Sequence, residues 1–435
     1  MEIKKNNAEN LKRWQHNRLV MFIHWGLYAM PARHEWVRSH EKMPESNYLK
    51  YFENFNPDLY NPGEWAKLAK SAGMKYVVLT TKHHDGFCLW DSKYTDWKST
   101  KTPYGKDLLK PFVEAFRAEG IRVGLYHSLL DWHHPDYTTD RNHPMRDDEA
   151  FKAADAKRDM HKYAEYLHHQ VAEILTNYGE VDCIFFDFSI KDADGKVLKG
   201  REAWNSEELA KLCRKLQPQI LINDRLELDE YDWGWDYMTP EQCMLRKTPE
   251  KDGVKIPWET CQTFSGAWGY FRDEYTWKSV EQLIKMLVDT VSKGGNLLLN
   301  VGPTARGEFD PRAKECLAGM GGWMNKNERS IYGCIEAPEG FERPEDCRLT
   351  FNPETNKLYI HVFSWPPTGE LYIEGSRVKE IKYAQLLNDG SELKFGARAA
   401  WQADKWRESE FGDMISLKLP VRQPGIVPVI ELILQ

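Results

Sequence analysis

Polar residues stand at the ends of apolar runs along this chain, and they are types that bind, ionise or attack. His24 follows Leu19–Ile23, and His83-His84-Asp85 follow the run Lys75–Thr80. Tyr126 and His127 end the run that begins at Ile121, and Asp187 follows Asp182–Phe186. Asn223-Asp224-Arg225 follow Gln219–Ile222, and Asn300 closes NLLL at Asn296–Leu299. One polar residue after an apolar run is ordinary punctuation. Six runs that end so are a pattern, because converging strand ends bring such groups together on one face. Asp187 is the sharpest candidate, a carboxyl group delivered by Cys183–Phe186 into aromatic surroundings. Aromatic walls desolvate it, and a nearby cation such as Arg225 keeps it ionised. A carboxylate so placed serves as a nucleophile, a base or a metal ligand.

The 14 histidines, with pairs at His83-His84, His133-His134 and His168-His169, invite a metal reading. Adjacent residues on a strand point to opposite sides, so such pairs chelate poorly. HxH is missing after the first run and HExxH is missing throughout, so no metal site and no cofactor are expected. No GxSxG elbow supports acyl transfer by serine. The tryptophans point elsewhere. Of 17, 14 precede residue 335, and Trp25, Trp36, Trp90, Trp132, Trp233, Trp235, Trp258 and Trp268 lie beside the polar run ends. Flat rings take the C–H face of a pyranose while charged groups take its hydroxyls, so the excess reads mainly as the wall of a sugar pocket. Cleaving a glycosidic bond then needs two carboxyl groups across it.

The elements that must position these residues alternate. The five apolar runs up to Ile222, and NLLL, read as strands. Helical patterns follow at Glu64–Ala72, Leu108–Ala118, Ala150–Tyr178, Asn205–Leu216, Ser279–Ser292 and Pro311–Asn325. Residues 226–275 carry no clear pattern. Strands apolar throughout, each followed by a helix, signal a parallel sheet buried on both faces. About eight such units favour an α/β fold of the (β/α)8-like barrel type over residues 1–335. The Gly319–Gly322 cluster lies inside a helical pattern and reads as a packing feature. Past residue 335, segments such as LTFNPETNKLYIHVFSW alternate apolar and polar residues between turn signals. Residues 336–435 are therefore expected to form a small C-terminal antiparallel β-sandwich. Trp401 and Trp406 in this region have no evident place in the barrel. Local packing is the simpler role for them, and contact with a neighbouring subunit the bolder one.

Composition narrows the class. With 59 Lys+Arg against 66 Asp+Glu the net charge is -7, which disfavours nucleic-acid partners. No stretch approaches the ~18 consecutive apolar residues of a membrane span, and the polar start MEIKKNNAENLKRW has no apolar leader core. Eight scattered cysteines without CxxC, and no Asn-x-Ser/Thr acceptor, lead us to expect a reduced, cytoplasmic setting. Size and charge permit self-association, and a homo-oligomer is expected.

Six segments carry a family likeness. FIHWGLYAMPARHEW (Phe22–Trp36), GMKYVVLTTKHHDGFCLWDSKYTDW (Gly73–Trp97) and RVGLYHSLLDW (Arg122–Trp132) are the first three. FFD (Phe185–Asp187), WETC (Trp258–Cys261) and SKGGNLLLNVGP (Ser292–Pro303) complete the set. In this order the chain resembles the retaining α-L-fucosidases of glycoside hydrolase family 29. The likeness implies a barrel plus sandwich, no cofactor, and a fucosylated glycoside as substrate. It implies that Asp187 is the nucleophile of a covalent fucosyl-enzyme. It implies that His24, Glu35, Trp36, His83, His84 and Tyr126 bind sugar hydroxyls and that Arg225 lies near the nucleophile. Phe22 and Trp268 would line the pocket for the sugar's methyl group. For the general acid/base it favours Glu241 of WDYMTPEQ, with Glu259 of WETC as the rival.

Overall fold

The computed structural model describes residues 6–191, 194–195, 197–397 and 413–435. Trp401 and Trp406 lie outside the described residues. Seven parallel strands form the main sheet: β1 Leu19–Ile23, β2 Tyr76–Lys82, β3 Arg122–Ser128, β4 Cys183–Asp187, β5 Leu221–Ile222, β6 Glu259–Thr263 and β7 Asn296–Val301. Their order is β6-β7-β1-β2-β3-β4-β5. Every residue of β1, β2, β6 and β7 is buried; β1 is apolar throughout, whereas β2, β6 and β7 also bury polar side chains.

The sheet curls, and its edges β5 and β6 meet through an irregular stave rather than an eighth strand. Isolated parallel bridges join Asn223 to Tyr237, Met238 to Trp258 and Glu241 to Cys261. Pro240 lacks an N–H for the ladder, so this stave cannot be a regular central strand. Where about eight β/α units are expected, the main sheet among the described residues has seven parallel strands, curled, with an irregular segment at its open side.

Helices α1 Ala8–Asn17, α2 Pro62–Ser71, α3 Leu109–Ala118, α4 Met160–Thr176, α5 Ser206–Leu216, α6 Val280–Val291 and α7 Pro311–Asn327 accompany the sheet. The long helix expected over 150–178 is broken. A short helix Glu149–Ala153 and a 3-10 turn Ala154–Lys157 precede α4, whose start is capped by the Asp159 side chain accepting from His161 N–H. Apolar spacing continues across that break, so periodicity alone could not show it. In α7, a Cβ on Gly319 would overlap Val280 and one on Gly321 would overlap the Ser71 carbonyl. The glycine cluster is indeed a helix-packing device.

The C-terminal part holds β8 Ile335–Glu336, β9 Cys347–Asn352, β10 Lys357–Val362, β11 Glu370–Glu374, β12 Ile381–Leu386, β13 Phe395–Ala397, β14 Met414–Lys418 and β15 Val429–Leu434. They make an antiparallel sheet β8-β9-β10-β15-β12 and a second sheet β11-β14-β13. Alternation decides which way each residue faces. Leu358, Ile360 and Val362 of β10 enter a core with Ile373 and Leu417 of the other sheet. Tyr359 between them joins the barrel's core.

Candidate active site

The same alternation builds the barrel interior in layers. On β4, Cys183 and Phe185 face inward with Phe22, Tyr126 and Cys261, while Ile184 and Phe186 face the surrounding helices. Asp187 continues the inward series one layer higher, at the carboxyl-terminal mouth. Lower down, a Cβ on Gly124 would overlap the Tyr76 hydroxyl, so only glycine lets that ring cross the barrel to Cys183.

Both oxygens of Asp187 are held. Tyr126 donates its hydroxyl to Oδ2 at 2.6 Å, and Arg225 donates Nη1–H to Oδ1 at 2.8 Å. His84 Nε2 lies 3.8 Å from Oδ2. The same guanidinium reaches Glu241, whose Oε2 accepts from Nη2 at 3.2 Å. Arg225 is aimed by Thr239, which accepts from Nε at 3.1 Å and from Nη2 through its carbonyl at 3.0 Å. Burial opposes the charge of Arg225, but Asp187 and Glu241 outweigh it and its pKa is raised. Glu241 is pushed up by desolvation and by the charge of Asp187, against the pull of Arg225. The rival Glu259 sits at the start of β6, deep in the interior and fully buried. The structure brings Glu241, and not Glu259, to Asp187.

Burial pushes Glu259 up to about 8 from 4.5. Its folded form therefore keeps a proton that the unfolded chain loses. That contribution to stability is fully present below about pH 4.5 and is lost as the pH rises to about 8. Glu259→Gln has no such proton to lose. Its unfolding temperature should fall less than the wild type's between pH 5 and pH 8, by the equivalent of a few kcal/mol (~1.4 kcal/mol per pKa unit). Equal slopes in a thermal-unfolding series would show that Glu259 is not a buried neutral acid.

The remaining residues expected at the site gather around this pair. Phe22 meets His24 at 4.4 Å, Phe185 at 5.4 Å and Trp268 at 6.0 Å, an apolar corner. His24 Nδ1 is 2.6 Å from Asn300 Oδ1, while the Asn300 amide N–H is spent on the Trp268 carbonyl at 2.6 Å. That orientation makes Nδ1 the donor and leaves the His24 Nε2 lone pair to accept a hydroxyl. His84 is fixed likewise: the Ser128 hydroxyl donates to the Leu130 carbonyl, so it accepts from His84 Nδ1 at 2.7 Å. Burial lowers His24 to about 3 and His84 to about 4, and takes His83 well below its usual value. All three imidazoles are neutral at pH 7, each with one donor and one acceptor. Glu35 Oε2 accepts the Trp268 and Gly269 amides at 3.1 and 2.8 Å, and burial raises its carboxyl to about 7. Trp36 packs on His84 at 4.9 Å.

The other polar run ends turn out to be scaffolding. Asp85 accepts from Tyr48 at 2.9 Å, His127 faces outward to Trp90, and Asn223 bonds both backbone groups of Phe186. Asp224 accepts from the Thr239 N–H and hydroxyl, so it anchors the irregular stave. The reading of the tryptophans needs correction. Trp36 and Trp268 touch the pocket residues, with Trp132 behind Trp36. Trp25 and Trp65 pack on each other, Trp90 bonds Glu173, Trp258 bonds the Lys293 carbonyl and Trp233 stacks on Tyr231. The excess is mainly core. Composition could not separate an aromatic at the mouth from one beside it on the outer face. Sequence reasoning also missed Tyr28, whose ring lies 5.1 Å from His83, and gave Asn300 no binding role. The polar ending of NLLLN was the available signal for Asn300.

Two carboxyl groups over an aromatic floor, among neutral imidazoles able to donate and accept hydrogen bonds, supply what cleavage of a glycosidic bond calls for, and the class is glycoside hydrolase. Comparison with known proteins narrows it: the chain belongs to the α-L-fucosidase family, whose model, described as Alpha-L-fucosidase, matches residues 1–329. It is similar to the solved α-L-fucosidase isoenzyme 1 of Paenibacillus thiaminolyticus, at 43% identity and TM-score 0.89, covering 98% of this chain and 99% of that one. A family 29 α-L-fucosidase of Bacteroides thetaiotaomicron, solved as a covalent intermediate trapped with 2-fluoro-fucosyl fluoride, shares 29% identity at TM-score 0.82. That match covers 100% of this chain and 98% of that one. Among curated proteins, the tissue α-L-fucosidase of Rattus norvegicus is 28% identical over 97% of this chain and 89% of its own length.

Proposed function

We propose that this glycoside hydrolase is an exo-acting, retaining α-L-fucosidase that releases terminal fucose by double displacement. The observation that carries this reading is the shared guanidinium of Arg225, which faces Asp187 with one nitrogen and Glu241 with the other. In the first step Asp187 attacks the anomeric carbon while protonated Glu241 gives its proton to the departing oxygen. The raised pKa of Glu241 suits that role. As negative charge on Asp187 is consumed by the new bond, its repulsion, which after burial raises the Glu241 pKa, disappears. Its pKa drops, and Glu241 becomes the base that deprotonates the incoming water. Phe22, Phe185 and Trp268 offer the apolar corner for the C5 methyl group, and His24, His83, His84, Glu35 and Trp36 take the ring hydroxyls. We place the enzyme in the cytoplasm. Among the described residues all eight cysteines are free thiols, as a reducing compartment leaves them.

Time-resolved NMR of hydrolysis of an aryl α-L-fucoside tests the stereochemistry. The first fucose to appear should be the α anomer, relaxing to the equilibrium mixture afterwards. β-Fucose appearing first would mean an inverting enzyme and would remove the covalent intermediate.

A further inference from the structure

Backbone strain adjoins each of the three carboxyl groups of the pocket. His34 at φ 88° precedes Glu35, Phe188 at φ 90° follows Asp187, and Gln242 at φ 47° follows Glu241. A bulky residue at such a φ is a genuine outlier, kept only where its surroundings over-determine it. Phe188 is the largest of the three. On one side its backbone is tied through the Leu129 N–H, which donates to the Asp187 carbonyl at 3.0 Å. On the other it enters a two-stranded hairpin, Ile190–Lys191 with Val197–Lys199. Ile190 is fully buried, and Lys199 bonds Asp140 at 2.9 Å and lies 3.8 Å from the centre of the Tyr137 ring. The chain is thus tied on both sides of residue 188, at Asp187 and at Ile190.

We propose that Phe188 is a positioning residue for sugar binding, its ring wedging His84 and Trp36 into the pocket wall. The ring lies 5.4 Å from His84, edge to face, and 5.6 Å from Trp36. Trp132 backs the same two rings at 5.5 and 5.4 Å. His84 and Trp36 are thus held between Trp132 and Phe188. Phe188 is only partly buried. Its removal opens a gap at the wall, into which Trp36 can turn, rather than a void in the core. This inference rests on the reading of Asp187 and its neighbours as the fucose site.

The test compares Phe188→Gly and Phe188→Tyr with the wild type in three measurements. They are kcat and KM on 4-nitrophenyl α-L-fucoside, calorimetric Kd for deoxyfuconojirimycin, and Tm. Glycine frees the backbone and removes the ring, so KM and Kd should rise about 10-fold or more, as misplaced binding groups do. Tyrosine keeps the wedge and should restore both. If Phe188→Gly does not fold, Phe188→Leu carries the same expectation at an unchanged Tm. Wild-type KM and Kd in either variant, whatever Tm does, would overturn the proposal, as would a tyrosine variant no better than glycine. The two readings fail separately. Full activity in Asp187→Ala removes the nucleophile assignment, whereas an inactive Asp187→Ala beside a wild-type Phe188→Gly removes only the positioning role.

Discussion

Asp187→Ala is expected to lower kcat/KM on an aryl α-L-fucoside by at least about 10,000-fold, as loss of a covalent nucleophile does. The fold should survive, because Arg225 keeps its bonds to Thr239 and Glu241 when Asp187 is gone. The alanine also leaves a space beside the anomeric carbon that a small anion can fill. Azide should therefore restore turnover and give a β-fucosyl azide, the product of one displacement in place of two. Folded, inactive protein that azide does not rescue would point to a different role for Asp187. Activity near wild type would end the assignment.

Glu241→Ala is expected to show its deficit according to the leaving group. A 4-nitrophenolate departs with little help, so kcat/KM on that substrate should fall modestly. A fucosyl disaccharide needs its oxygen protonated and should lose on the order of 1,000-fold. Azide attacking the accumulated covalent intermediate should give an α-fucosyl azide, opposite in configuration to the product from Asp187→Ala. The pH profile separates Glu241 from Glu35, whose carboxyl is raised to about 7. An acid must be protonated to act, so kcat/KM should fall as pH rises through the pKa of Glu241. That limb should vanish in Glu241→Gln. Its survival would assign the titration to Glu35. Glu259→Ala should show no leaving-group dependence, since its carboxyl is sealed inside the barrel.

The parts of this site that rest on alternation within strands were legible from the residues. Apolar runs with polar ends located β1 to β5 and β7 and placed His24, His83, His84, Tyr126, Asp187 and Arg225 at one mouth. β6, ETCQT, has no apolar run, although all its residues are buried, so propensity passed over it. The stave that carries Glu241 is held by Asp224, Thr239 and isolated bridges rather than by a ladder. Only the family likeness could locate it, because nothing in its own pattern marks a strand. Tautomers and strain lie further out of reach. Which nitrogen of His24 is free depends on Asn300, 276 positions away. The positive φ of Phe188, 90°, is likewise unmarked by its own residue type.

The central claim is that Asp187 becomes covalently bonded to fucose. Incubation with 2-deoxy-2-fluoro-fucosyl fluoride, followed by peptide mass spectrometry, tests it most directly. A single fluorofucosyl adduct on the carboxyl of Asp187, formed as activity is lost, is the predicted result. An adduct on another residue, or complete turnover of the reagent with none, would contradict it.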